Sequence, residues 1–106
     1  MTSLRDADIR FLYFDGCPNA SSTLENLRSA LGQLKSSIEP DLIQVDSEST
    51  TPFLGSPSIF VNGIDLYTRE EPTIHSYSCR TFDVNGTRTA ILPVEFIRDR
   101  LIELLE

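Results

Sequence analysis

The chain has 106 residues, enough for one domain with a core of its own. Its residues are 40% hydrophobic and 24% charged, and 16 acidic against 9 basic side chains leave a formal net charge of -7. That balance repels nucleic-acid phosphates and anionic lipid, and no apolar run approaches the ~20 residues of a membrane span, so neither nucleic acid nor membrane is an expected partner.

The stretch MTSLRDADIR has no basic region followed by an apolar run. No secretory leader is expected there, and the expected location is cytoplasmic, where thiols stay reduced. IRFLYF, residues 9–14, is a nearly continuous apolar run that suits a strand covered on both faces. DGCPNASS breaks the pattern, and Leu24, Leu27, Leu31, Leu34 and Ile38 then follow in steps of three and four. Such steps draw one stripe along a helix of roughly four turns, ended by SSIEP. Pro18 suits its first position, where a missing N–H costs nothing; Ser22 and Glu25 have capping-box spacing and offer a later start.

DLIQV, residues 41–45, alternates as a second strand, and the polar DSESTTPFLG reads as a loop with at most one helical turn. In SIFVNGIDLY, residues 58–67, two β-prone runs flank Asn62–Gly63, the pair that favours a type I′ turn; this predicts an antiparallel hairpin extending the same sheet. Residues 68–78 read as irregular, CRTFDV as a short strand with a turn at Asn85–Gly86, and PVEFIRDRLIELLE as an amphipathic helix carrying Val94, Ile97, Leu101 and Leu104 or Leu105 on its stripe. A parallel β-α-β opening, a hairpin and a final helix make an α/β domain with a mixed sheet of four to five strands, spanning residues 1–106.

This order, with GCPN after the first strand and GSP before the third, resembles the thioredoxin and glutaredoxin superfamily. It looks most like a group of small thioredoxin-like proteins marked by YF-x-GCPN, GSP followed by Ser or Thr, and a later SCR, some of them named as alkylmercury-lyase-like. The resemblance implies that Cys17 is the attacking cysteine at the start of the first helix. It implies that Ala20 stands where a dithiol member carries its second cysteine, making CPNA a monothiol motif. Pro57 matches the family's cis-proline, and the backbone of Ser56 before it would face the thiol and pair with an extended substrate. Pro18, Asn19, Ser56 and Pro57 are thus the expected substrate-binding residues.

The thiolate is the reactive form of cysteine. A helix N-terminus beside Cys17 would favour it, and the Asp15 carboxylate would oppose it. Turnover needs a second thiol to attack the mixed disulfide. With Ala20 in place, that thiol is Cys79 of SYSCRTF or an external one such as glutathione; Cys79 could instead pack in the core beside Tyr77. Arg80 could assist a thiolate, hold a substrate carboxylate or stand solvated on the surface. His75, Cys79, Cys17 and Asp15 are zinc-type ligands, but the chain has one histidine and no C-x-x-C pair, and no metal or other cofactor is expected. Asp15 and Asp65 read as a solvated acidic face, and Phe11, Tyr13 and Phe14 as sheet core.

The functional expectation is a thiol-disulfide oxidoreductase or monothiol redox protein with Cys17 as nucleophile and Cys79 as resolving thiol. Its partner would be a thiol or disulfide, protein or glutathione. The alternatives are a non-catalytic binding or adaptor domain of the same fold, and a thiol-based metal or organomercurial binder.

Overall fold

The computed structural model describes residues 7–105; the part of the leader expectation that falls on residues 1–6 lies outside them. The elements are β1 (Ile9–Tyr13), α1 (Ala20–Gln33), β2 (Asp41–Gln44), β3 (Ser58–Val61), β4 (Ile64–Asp65), β5 (Phe82–Val84), β6 (Thr87–Thr89) and α2 (Val94–Leu105). Four strands form a mixed sheet in the order β2-β1-β3-β4. The β1–β2 pair is parallel, and the β1–β3 and β3–β4 pairs are antiparallel. No helix is long and apolar enough to cross a membrane among the described residues.

Strand β1 is central, and alternation splits its side chains between two cores. Ile9 and Phe11 point to one face, where Ile59 and Val61 of β3 join Leu27 and Leu31 of α1 and Ile97, Leu101 and Leu105 of α2. Leu12 points to the other, with Phe60, Val45 and the fully buried Phe53. The apolar run at 9–14 thus marks a strand buried on both sides. Among the described residues no helix covers the second face: the segment between β2 and β3 carries only a turn, held by Asp46, which accepts hydrogen bonds from the Glu48 N–H and the Ser49 hydroxyl. Phe53 does the covering that a helix would otherwise do.

Helix α1 stops at Gln33, one turn before SSIEP. Lys35 takes φ 56°, its N–H bonds the Gly32 carbonyl, and the Ser36 N–H bonds that of Leu31. This left-handed closure satisfies the last carbonyls. Leu34 and Ile38 still pack on the core from beyond the helix. The side-chain amide of Asn26 donates to the Leu92 carbonyl at 2.8 Å, tying α1 to the approach of α2.

Asn62 and Gly63 both have positive φ, at 52° and 84°, as the hairpin turn requires. Strand β4 is shorter than the β-prone run suggests, because the Asp65 carboxylate accepts the N–H groups of Tyr67 and Thr68 and turns the chain away. A two-residue edge offers little to pair with, so CRTFDV adds no fifth strand. Residues 82–84 instead pair with β6 in a separate two-stranded sheet, turned at Asn85–Gly86, that sets Phe82 and Val84 into the helix-side core.

Replacing Phe53 by Ala should cost about 3–5 kcal/mol, the usual range for emptying a buried phenylalanine site. Urea unfolding would show this as a lowered midpoint with an unchanged slope.

Candidate functional site

Strand β1 ends at Tyr13, and the chain turns through Asp15 and Gly16 to bring the Cys17 N–H back onto the Phe14 carbonyl at 3.2 Å. Cys17 is half-buried. The first helical residue is Ala20, with Asn19 as a cap that makes no side-chain hydrogen bond. Pro18 is therefore an exposed turn residue and not the first position of the helix, and Ser22 and Glu25 lie inside α1 and form no capping box. Cys17 precedes the cap by two residues. Ala20 is buried against the helix-side core, which sets where the helix begins.

The Cys17 thiol donates to the backbone carbonyl of Ser56 at 3.7 Å. The Ser56–Pro57 peptide is cis. The hydroxyl of Ser56 accepts the Phe14 N–H at 3.3 Å, so the end of β1 and the proline loop are joined directly. Ser56 and Pro57 are themselves buried, and the Ser56 carbonyl is the group that meets the thiol.

The same peptide unit is engaged from a third direction. The Ser56 N–H donates to the Ser78 carbonyl at 2.8 Å, and its carbonyl accepts the Arg80 N–H at 3.0 Å. This is a parallel bridge with Cys79 as the register partner of Ser56. Such partners lie about 4.8 Å apart. Cys17 and Cys79 thus flank one peptide, both as free thiols, and Cys79 is exposed and not part of either core. The chain's own segment fills the backbone positions at Ser56 that an extended substrate was expected to use. A second bridge, Phe53 with His75, holds the start of the segment.

Two buried features hold residues 78–80 in place. Arg80 is neither solvated nor turned to the thiol: its guanidinium forms a two-pronged pair with Asp65, at 2.7 and 3.0 Å, and also donates to the Ser58 hydroxyl. Tyr67 and Phe82 face the cation, with ring centroids 5.4 and 5.1 Å away. Asp65 is fully buried, against the expectation of a solvated acid, while Asp15 is exposed. The second feature is Gly55, at φ 116°, where a Cβ would stand 2.9 Å from the Ser78 carbonyl oxygen. The glycine of GSP is the close-approach point of the two segments. The sequence did hold a signal for Asp65: an acid within a β-prone run, at a position that pairs with the buried Phe60.

On the side of Cys17 near the β2 edge opens a cavity of about 290 Å³. Tyr13, Phe14, Leu24 and Leu42 supply apolar wall, and Ser21 a hydroxyl. Only Phe11 of the aromatic run is fully in the core; Tyr13 and Phe14 are half-buried at this opening. Leu42 of the edge strand β2 is 48% exposed. Tyr77 packs on Phe14 at 4.8 Å between centroids, next to His75. The His75 Nδ1 lies 2.7 Å from the Thr51 carbonyl, and among the described residues no three of His, Cys, Asp and Glu come together as a metal site.

Comparison of the chain with protein-family models, curated proteins and solved structures finds no match.

Replacing Arg80 by Met leaves the Asp65 carboxylate buried without its cation and should destabilise the fold by about 3–5 kcal/mol. Arg80→Lys should also lose stability, since an ammonium cannot make the paired contact; chemical denaturation of both variants measures this. Gly55→Ala should speed cleavage by an added protease between residues 70 and 80, as Ser78 is pushed off Ser56.

Proposed function

We propose that the chain is a thioredoxin-like thiol protein in which Cys17 attacks a disulfide and Cys79 resolves the product. One observation carries this reading: the Cys17 sulfur lies 3.7 Å from the carbonyl of Ser56, and Ser56 is the register partner of Cys79. A β-α-β opening, an antiparallel hairpin and a closing helix, with the cysteine loop just before α1, support the fold assignment.

The chemistry balances as ordinary exchange. The Cys17 thiolate attacks one sulfur of the substrate disulfide, that S–S bond breaks, and the other sulfur leaves as a thiolate that takes up a proton. Cys79, as thiolate, then attacks Cys17 and expels the second substrate thiol. The substrate disulfide is reduced by two electrons, and the protein gains an internal disulfide. Two equivalents of an external thiol, glutathione among them, return it to the starting state: the first opens the internal bridge as a mixed disulfide, and the second releases that adduct and leaves as the oxidised disulfide. Such a cycle belongs in a reducing compartment such as the cytoplasm.

A binding domain without turnover is the second reading. It is favoured by the occupation of both Ser56 backbone groups by Ser78 and Arg80.

Treatment of the reduced protein with a small disulfide, followed by intact-mass measurement, separates the two. The wild type should pass through a mixed disulfide and end as a species lighter by two hydrogens. Cys79→Ser should stop at the mixed disulfide, and Cys17→Ser should form no internal bridge and add the reagent only slowly, at the exposed Cys79. Equal labelling of both cysteines, with no internal bridge, would favour the binding domain.

A further inference from the structure

We infer that the substrate of Cys17 is a small uncharged disulfide with an aromatic or alkyl substituent, seated in the cavity beside α1, and not a peptide or glutathione disulfide; this rests on the redox reading above. Two independent observations meet at the thiol. The first is closure on the proline side. An extended peptide binds a sheet or loop edge through free main-chain donors and acceptors. At Ser56 the N–H is bonded to Ser78, and the carbonyl accepts both Arg80 and Cys17. Opening this edge means withdrawing a segment anchored by the buried Arg80–Asp65 pair.

The second observation is the opening on the other side. The cavity of about 290 Å³ reaches Cys17 itself. An apolar cavity of about 150 Å³ already holds benzene, so one or two rings or a short alkyl chain fit, and a folded protein surface does not. Its walls are the rings of Tyr13 and Phe14 and the side chains of Leu24 and Leu42. Among the described residues no lysine, arginine, aspartate or glutamate lines it. Glutathione disulfide is a net anion whose carboxylates would need cationic partners. The lining supplies none, Asp15 stands exposed at the neighbouring turn, and the whole chain carries -7. An uncharged apolar group entering this space loses water without stranding a charge.

The covalent step is the exchange already written: Cys17 takes the sulfur that bears the seated substituent, and the other sulfur leaves toward solvent and is protonated there.

Rates of mixed-disulfide formation at Cys17 test the assignment, each divided by the rate of a neutral model thiol, N-acetylcysteine amide, with the same reagent. The reagents are dipyridyl disulfide, glutathione disulfide and the disulfide of a short neutral cysteine peptide. Dipyridyl disulfide should show an enhancement of about tenfold, the worth of burying roughly one ring, and the other two none. Ser21→Trp, which fills the cavity from an exposed helix position, and Leu42→Asp, which charges its outer wall, should each remove most of that enhancement with thermal unfolding unchanged. An equal or larger enhancement with glutathione or the peptide overturns the substrate class and leaves the Cys17 chemistry standing. An enhancement that survives both variants overturns the cavity as the site. If none of the three reagents forms an adduct at Cys17, the redox reading fails and takes this one with it.

Discussion

The buried pair of Arg80 and Asp65 is the constraint from which the rest of the site follows. A guanidinium held by both carboxylate oxygens and a serine hydroxyl, with two aromatic rings beside it, has its charge answered inside the protein. Asp65 has a second task, since the same carboxylate accepts the Tyr67 and Thr68 N–H groups and ends β4. One acid therefore terminates the sheet and anchors the segment that returns across it. With Arg80 fixed, the Arg80 N–H reaches the Ser56 carbonyl, Ser78 reaches the Ser56 N–H, and Cys79 is presented between them. Burial of two charges is costly unless both are fully partnered. Here the partnering is what gives the segment its single position.

The thiol is consequently bordered by two unlike environments. Toward Pro57 lies a hydrogen-bonded and occupied backbone; toward β2 lies an open, uncharged hollow. The sheet's two-sided core underlies this division. Phe53 and its neighbours stand where a helix could have covered the second face, and the loop that carries Phe53 runs on into Gly55, Ser56 and Pro57. The same loop thus seals a core and faces the cysteine.

Patterns of local origin were legible in the sequence. The apolar run of β1, the three-four spacing of α1 and α2 and the Asn62–Gly63 turn depend on neighbours close in the chain, and each element is present, with α1 shorter at both ends than its pattern suggested. Cys17 and Ser56–Pro57 stand out in the sequence through GCPN and GSP, and the thiol of the first lies 3.7 Å from the Ser56 carbonyl. What stayed hidden was non-local. Nothing in SCR says that the arginine goes inward, because its partner is 15 residues away and its ring contacts come from a loop and a second hairpin. The helix start was misplaced because Pro18 satisfies a turn as readily as a first helical position, and the burial of Ala20 decided between them. The missing fifth strand traces to the Asp65 turn, a side-chain hydrogen bond that composition does not announce.

Gly55 carries a consequence for how this protein can vary. At φ 116°, with the Ser78 oxygen where a side chain would begin, the position admits hydrogen alone. No compensating change of rotamer elsewhere relieves that collision, since the obstacle is main chain. A side chain is admitted at this position only if the main chain at Ser78 gives way, so the spacing of the two segments is set by an atom that is missing.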